Sequence, residues 1–497
     1  MHFISFEFVL FAAAFFLLFF FLGRQGQKFL LLMAGYFFCG FHSPWFAAIL
    51  ALSTLGNYLA SRLMFSPNLS RRGVMWAGIV FNLLLLGVFK YFDFFSTSLT
   101  AAAASVGVHY SPLVLGLVVP IGLSFYTFQA ISYLVDLRNG KIKPAPLLDY
   151  AVFMSFWPKF VAGPIIRATA FMPQLQRRRT FRWANFYLGL EAIVYGLFLK
   201  AVLSDYLVPA VKRVYDAPKA YDGAASLVAA LFYTFQMYGD FAGYSLIVIG
   251  VARIMGYSVR ANFRRPNFAV SFSDFWRRWH ISLSKWLGDY IFRNLPLKVA
   301  RRGATPAPAP ESAGPPSRQI GSPKLRKELA LSRNQMATLL FSGLWHGAAW
   351  TFVTWGFFHG VMLILQRQVG RRIRGLYAHS PTLLKVSIPL QIAFVFTMVA
   401  VSRIIFRSPD FSVALQMFHN ILAGPYHWGG LEEKASTAIG FLIILSVMTV
   451  EAGVEYGLWR RSVARWRLAR VAAALLVLMV IMVLGDFGGG RFIYVRF

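Results

Sequence analysis

Cysteine is almost missing from this chain of 497 residues. The single thiol, Cys39, rules out an intrachain disulfide and a thiolate metal cluster. Charge is scarce as well: 14% of the residues are Asp, Glu, Lys or Arg, against roughly a quarter in soluble domains. Such a chain is excluded from the ordinary water-soluble class. Within that small share the acids are depleted, with 19 against 50 Lys and Arg and a net charge of +31. No G-x-S-x-G elbow is present, so the nucleophile of a serine hydrolase is not encoded. The apolar runs lack strand-like alternation, which excludes a transmembrane barrel.

What fills the chain instead is apolar. Hydrophobic residues make up 57% and the mean hydropathy is +0.56. A ~30 Å hydrocarbon layer needs about 20 helical residues to cross. Candidate runs fall at 3–22, 29–41, 45–64, 74–95, 113–134, 184–203 and 224–251, then a pair across 335–366, then 386–402, 439–458 and 471–484. Only helices or closed barrels satisfy backbone groups in lipid. The fold class read from these runs is all-α: one polytopic membrane domain, 1–497, with eleven or twelve crossings.

The basic residues sit in short loops between runs: "RQGQK", "SRRG", "QRRRTFRW", "RRPN", "GRRIRG" and "WRRSVARWRLAR". That is the placement of a positive cytoplasmic face against anionic lipid, and it argues for membrane lipid and against nucleic acid as the partner. The first run has its cations after it, so it reads as a retained span with the N-terminus outside. Keeping every basic loop on the cytoplasmic side requires 150–166, "YAVFMSFWPKFVAGPII", to enter and leave by one face. Its Pro158, Gly163 and Pro164 suit a re-entrant turn buried in protein. The Pro/Ala-rich stretch 300–324 predicts a disordered cytoplasmic loop.

Two stretches place polar groups where lipid or protein interior is expected. In 268–295, Phe272, Phe275, Trp276, Trp279, Leu283, Trp286, Leu287 and Tyr290 fall at three- and four-residue steps. Arg277, Arg278, Lys285 and Asp289 lie largely off that stripe, so the spacing predicts one amphipathic interfacial helix with His280 at the stripe's edge. A helix that only floats at the surface gains nothing from this imidazole. In 341–360, "FSGLWHGAAWTFVTWGFFHG", His346 and Trp350 are four apart, as are Trp355 and His359, which predicts an indole beside each imidazole on a shared face. A plain structural hydrogen bond suits His359 better than His346. Between Gly343 and Gly347, His346 has open space at its side for something to approach.

The chemistry that fits His346 is proton abstraction from a hydroxyl, which would then attack a thioester carbonyl directly with no covalent enzyme intermediate. No third ligand stands at usable spacing, so no metal is expected. On the run 224–251, Gln236, Asp240 and Tyr244 share a face; Asp240 would orient a histidine or pair with a cation. Lys90, three before Asp93, and Lys159 read as local ion pairs or snorkelling side chains.

Six stretches together resemble the membrane-bound O-acyltransferases: "FWRRWHISLSKWLGDYIF" (275–292), "GLWHGAAWTFVTWGFFHG" (343–360), "PIGLSFYTFQAISYLVD" (120–136), "FWPKFVAGPI" (156–165), "YGDFAGYS" (238–245) and the terminal "FIYVRF". The nearest branch is that of alginate O-acetylation, with teichoic acid D-alanyl transfer more distant. The resemblance implies helices around a central tunnel where a cytoplasmic donor meets an exported acceptor. It places the catalytic histidine at His346, a second functional position at His280, and a further histidine of the branch at His359. Relatives usually carry an acid where this chain has Leu246, and a short glycine-rich stretch where it has the Pro/Ala-rich loop.

The expected activity is O-acyl transfer, of acetyl, from acetyl-CoA or an acyl carrier protein at the bacterial inner membrane toward an exported polysaccharide. Partners would be a periplasmic esterase-like acyltransferase and polysaccharide synthase machinery. His346 and His280 are the expected catalytic pair, with His359, Trp345, Asp240 and Trp350 supporting the site and Arg277, Arg278 and Lys285 on the donor side. No bound cofactor is expected. Rivals are D-alanyl transfer to an envelope polymer, a flippase or channel for lipid-linked sugar, and a polyprenyl-dependent glycosyltransferase. The last would want an early outward acid, which "FHSPW" (41–45) lacks.

Overall fold

A computed structural model describes residues 5–160, 163–295, 323–427, 434–458 and 467–485. Among these residues every regular element is helical. Four helices are individually long and apolar enough to cross a membrane: Arg71–Ala104, Trp183–Asp216, Val386–Arg407 and Lys434–Glu455, with mean hydropathy of 1.7 to 2.0. Phe6–Phe19, Phe411–Ala423 and Ala472–Leu484 are apolar but shorter. The protein is an all-α, multi-pass membrane protein.

At its centre stands Gly223–Ile254, buried along nearly its whole length. A helix apolar all round has no face to give to water, so it is enclosed by others. Glycine lets its neighbour come to backbone contact. A Cβ on Gly196 would lie 2.7 Å from the Gly243 carbonyl oxygen, and one on Gly189 would lie 2.7 Å from that of Gly250. Association inside lipid depends on such close packing by small residues.

Three expected elements differ. The run 113–134 is helical only from Leu123, within Leu123–Arg138. Residues 108–120 have no regular structure, because Pro112, Gly116 and Pro120 interrupt the apolar run and Gly116 takes φ +59°. Asp93 accepts hydrogen bonds there from the Leu115 and Gly116 amides at 2.8 and 3.1 Å. The run 74–95 continues through a π turn, Gly87–Tyr91, to Ala104.

The third is 268–295, which is not one helix. Phe272–Arg278 and Ile281–Leu287 are separate short helices, and a π turn, Gly288–Phe292, follows. His280 sits at the break with φ +42°, in the left-handed region that costs a non-glycine residue about 1–2 kcal/mol. The segment 262–264 runs across this break and replaces the lost helical bonds: Ile281 N donates to Asn262 O at 2.8 Å and Arg264 N to Arg278 O at 2.9 Å. Phe272, Phe275, Trp276, Trp279, Leu283 and Trp286 are buried, so the stripe packs into the protein.

In the proposed re-entrant segment, the helix Leu147–Ser155 stops and a 3-10 turn, Trp157–Lys159, follows. Lys159 is buried and donates to the Gln129 side chain and, at 2.6 Å, to the Phe153 carbonyl, so it does not snorkel. The Pro/Ala-rich stretch lies outside the described residues up to position 322, as does the terminal "FIYVRF". From Pro323 the chain forms a helical hairpin, Pro323–His346 followed by Trp350–His379.

Candidate active site

The break at 280 faces the turn of that hairpin, and three buried histidines gather there. His280, His346 and His359 are 0%, 3% and 1% exposed. The rings of His280 and His346 stand 6.3 Å apart. Trp355 links His346 to His359, at 5.2 Å from the first and 4.7 Å from the second. Trp345 lies 5.0 Å from His346 and 5.9 Å from His280, and Phe406 lies 5.5 Å from His346. Phe275 stacks on His359 at 6.0 Å, and Phe241 meets His280 edge-on at 4.6 Å. The result is a buried aromatic chamber wall packed around the three imidazoles, with Ser402 Oγ and Asn262 Oδ1 against two of them.

His346 owes its position to a distant element. It is the last residue of its helix, where backbone carbonyls have no intrahelical donor. Lys90 donates to the carbonyls of Trp345 and His346 at 2.5 and 3.2 Å, and the Tyr91 hydroxyl donates to that of Leu344 at 3.0 Å. A cation at a helix C-terminus is favourable on both hydrogen-bond and dipole grounds. Both residues belong to the π turn 87–91, which shifts the helical register and presents them to the hairpin. The expected local pair of Lys90 with Asp93 is therefore wrong: Asp93 caps the 115–116 turn.

Two further expectations about 341–360 are corrected. The helix stops at His346, and Trp350 opens the next one, so the two are not on one face. Trp350 is 55% exposed and bonds Ser98 Oγ at 3.3 Å. The indoles that flank His346 are Trp345 and Trp355. Gly343 and Gly347 do not open space for a ligand either. A Cβ on Gly343 would lie 2.2 Å from the Phe352 carbonyl oxygen, and one on Gly347 would lie 2.0 Å from the Phe352 ring. These glycines close the hairpin.

Asp240 pairs with Lys200 at 2.7 Å, and Lys200 also meets Asp205 at 2.7 Å. Of the three cations expected on the donor side, Arg278 is held by Asp274 and Glu455, each at 2.8 Å. Burial works to lower the Arg278 pKa, but the hydrogen bond to Glu455 and the charges of Asp274 and Glu455 outweigh it and raise it. Arg277 is exposed and 3.4 Å from Asp274. Lys285 alone lines a cavity, of about 220 Å³, together with Arg167, Ile281, Ser282 and Asp289. That cavity ends against Ser282, which bonds Asn262, which bonds His280.

Sequence reading missed Asn262, Ser402 and Arg403. Ser402 Oγ lies 3.1 Å from His359 Nε2. The Arg403 guanidinium lies 4.5 Å over the Trp279 ring and donates to the Thr234 carbonyl at 2.6 Å. A charge at the end of an apolar run was the available signal for Arg403, since the run was closed one residue short of it.

The family model described as MBOAT, membrane-bound O-acyltransferase family, matches residues 75–305 and 322–405. The chain is 33% identical over 433 residues to a probable alginate O-acetylase of Azotobacter vinelandii, covering 86% of this chain and 79% of the relative. It is 30% identical over 426 residues to a peptidoglycan O-acetyltransferase of Helicobacter pylori, covering 80% and 73%. A teichoic acid D-alanyltransferase of Streptococcus thermophilus is 28% identical over 253 residues, 49% of this chain and 56% of that protein.

Proposed function

Because the chain belongs to the membrane-bound O-acyltransferase family and is a multi-pass O-acyltransferase, we propose that it moves an acetyl group from a cytoplasmic thioester toward an exported polysaccharide at the bacterial inner membrane. The observation that carries this reading is the pairing of His346 and His280, 6.3 Å apart in a buried aromatic chamber.

His346 acts as general base. It takes the proton of an acceptor hydroxyl while that oxygen attacks the thioester carbonyl carbon. As the tetrahedral intermediate collapses, the C–S bond breaks and the imidazolium returns its proton to the leaving thiolate. One C–O bond forms, one C–S bond breaks, and the enzyme ends as it began. The donor, acetyl-CoA or a loaded carrier protein, enters beside Lys285, whose charge suits its phosphate groups, in the cavity that the Arg167–Asp289 ion pair (2.5 Å) also lines. In this reading a periplasmic esterase-like acyltransferase passes the acetyl group on and a polysaccharide synthase supplies the polymer; the names of two relatives, an alginate O-acetylase and a peptidoglycan O-acetyltransferase, support a cell-envelope polysaccharide as the final acceptor.

The test is thioester consumption by purified protein in proteoliposomes, with an acetyl thioester and an oligosaccharide acceptor. Wild type should consume thioester and form ester, while His346→Gln, of matching folded yield, should do neither. Wild-type turnover in that variant would overturn the assignment. Preference for a D-alanyl thioester would move it to alanylation, and glycan movement without thioester loss would move it to a flippase.

A further inference from the structure

The hydrogen bonds around His280 fix which of its nitrogens carries the proton. Asn262 Oδ1 is met by the Ser282 amide at 3.1 Å. A backbone N–H only donates, so the atom it meets is the amide oxygen and the side chain's orientation is settled. Ser282 Oγ also donates to it, at 2.8 Å, while accepting from the Ile165 amide at 3.0 Å. The Asn262 Nδ2 group faces Ser245 Oγ at 3.3 Å. His280 Nδ1 lies 3.2 Å from the same Oδ1 and must donate to it. A neutral imidazole has one N–H. Its Nε2 therefore holds a bare lone pair, and among the described residues that atom is buried with no hydrogen-bond partner.

His359 shows the opposite arrangement. Ser402 gives its hydroxyl proton to the Val399 carbonyl at 2.7 Å, so toward His359 Nε2 it accepts, and the proton of that ring is on Nε2. Two histidines of one chamber are thus held in different tautomers by different neighbours.

We infer that Asn262 is a positioning residue that locks His280 as the Nδ1–H tautomer, so that its Nε2 presents a lone pair toward His346 and the substrate and is unable to donate to the thioester oxygen. The strained backbone at His280 and the buried, three-fold bonded Oδ1 both serve to hold that ring. The substrate side of this inference rests on the acyl-transfer reading; the tautomer does not. Asn262 also staples its loop to the break through its backbone carbonyl, which accepts from Ile281 N at 2.8 Å. That bond survives any side-chain replacement, so replacement tests the positioning role.

The deciding experiment is nitrogen NMR on full-length protein labelled with 15N-histidine, using His280→Gln to assign the ring. Wild type should show His280 protonated at Nδ1 and bare at Nε2. Asn262→Asp, which keeps an acceptor oxygen, should keep Nδ1 protonated, and Asn262→Ala should release it. In acetyl transfer, Asn262→Ala should lose about 10–100-fold in kcat, the scale of an oriented histidine's lost partner, with KM for thioester nearly unchanged, and Asn262→Asp should recover most of it. A proton on Nε2 in wild type overturns the inference, and that spectrum decides even if Asn262→Ala does not fold. So does an unchanged tautomer in Asn262→Ala, or equal damage in both variants. A wild type with the stated tautomer but no thioester turnover would instead defeat the acyl-transfer reading.

Discussion

Two π turns in this molecule each bring a lysine inward, and the two lysines do different work. In Phe198–Ser204, Lys200 is buried between Asp205 and Asp240, 2.7 Å from each. In Gly87–Tyr91, Lys90 spans to the hairpin and binds the carbonyls that end the His346 helix. The first lysine completes a knot of opposite charges, where removing one partner leaves the others buried and uncompensated. The second serves a chamber built of neutral rings. Buried polarity that pairs with itself holds the bundle, while His280 Nε2 and His359 Nδ1 are, among the described residues, buried with no hydrogen-bond partner.

This contrast is broken most sharply by exchanging the readouts. His346→Ala should lower transfer by about 10²–10⁴-fold, the usual share of a general base, with an unchanged thermal midpoint in detergent. A large fall in midpoint would mean that the chamber is structural too. Lys200→Met should do the reverse, losing about 3–5 kcal/mol of stability, seen as poor monodisperse yield, while the protein that does fold keeps its turnover. Lys90→Met should sit between them. Loss of a cation at a helix end costs up to about 2 kcal/mol of stability, read as a small fall in midpoint, together with a loss of kcat from the displaced His346 that is smaller than that of His346→Ala. The smallest effect belongs to Trp350→Ala, within about 0.5 kcal/mol as for other exposed sites and within a factor of two in rate. A loss as large as that of Lys90→Met would place Trp350 back in the chamber.

Much of the site could be read in advance because its cost is local. An imidazole in an apolar run needs a reason wherever the run folds, so His280, His346 and His359 were visible, and Trp345 with them. The break at His280 was hidden because the three- and four-residue spacing of Phe275, Trp279, Leu283 and Leu287 continues through it. What ends the helix is Asn262, which bonds across from another segment. Trp350 was misplaced for a related reason: periodicity carries no mark of the stop after His346, which depends on Phe352 packing against Gly347. The run 113–134 reads as a span despite Pro112, Gly116 and Pro120, since its apolar content outweighs those signals.

The amino-acid sequence alone determined that this chain is helical, lives in a membrane and carries a few histidines inside apolar runs. Apolar content, scarce charge and the cost of burying polar groups are properties of residues, whatever their neighbours. Only the tertiary structure decided which partner each polar atom has: Lys90 at the end of the His346 helix, Asn262 on His280, Lys200 between two acids. A hydrogen bond depends on distance and direction between atoms, and here those atoms come from segments far apart in the chain.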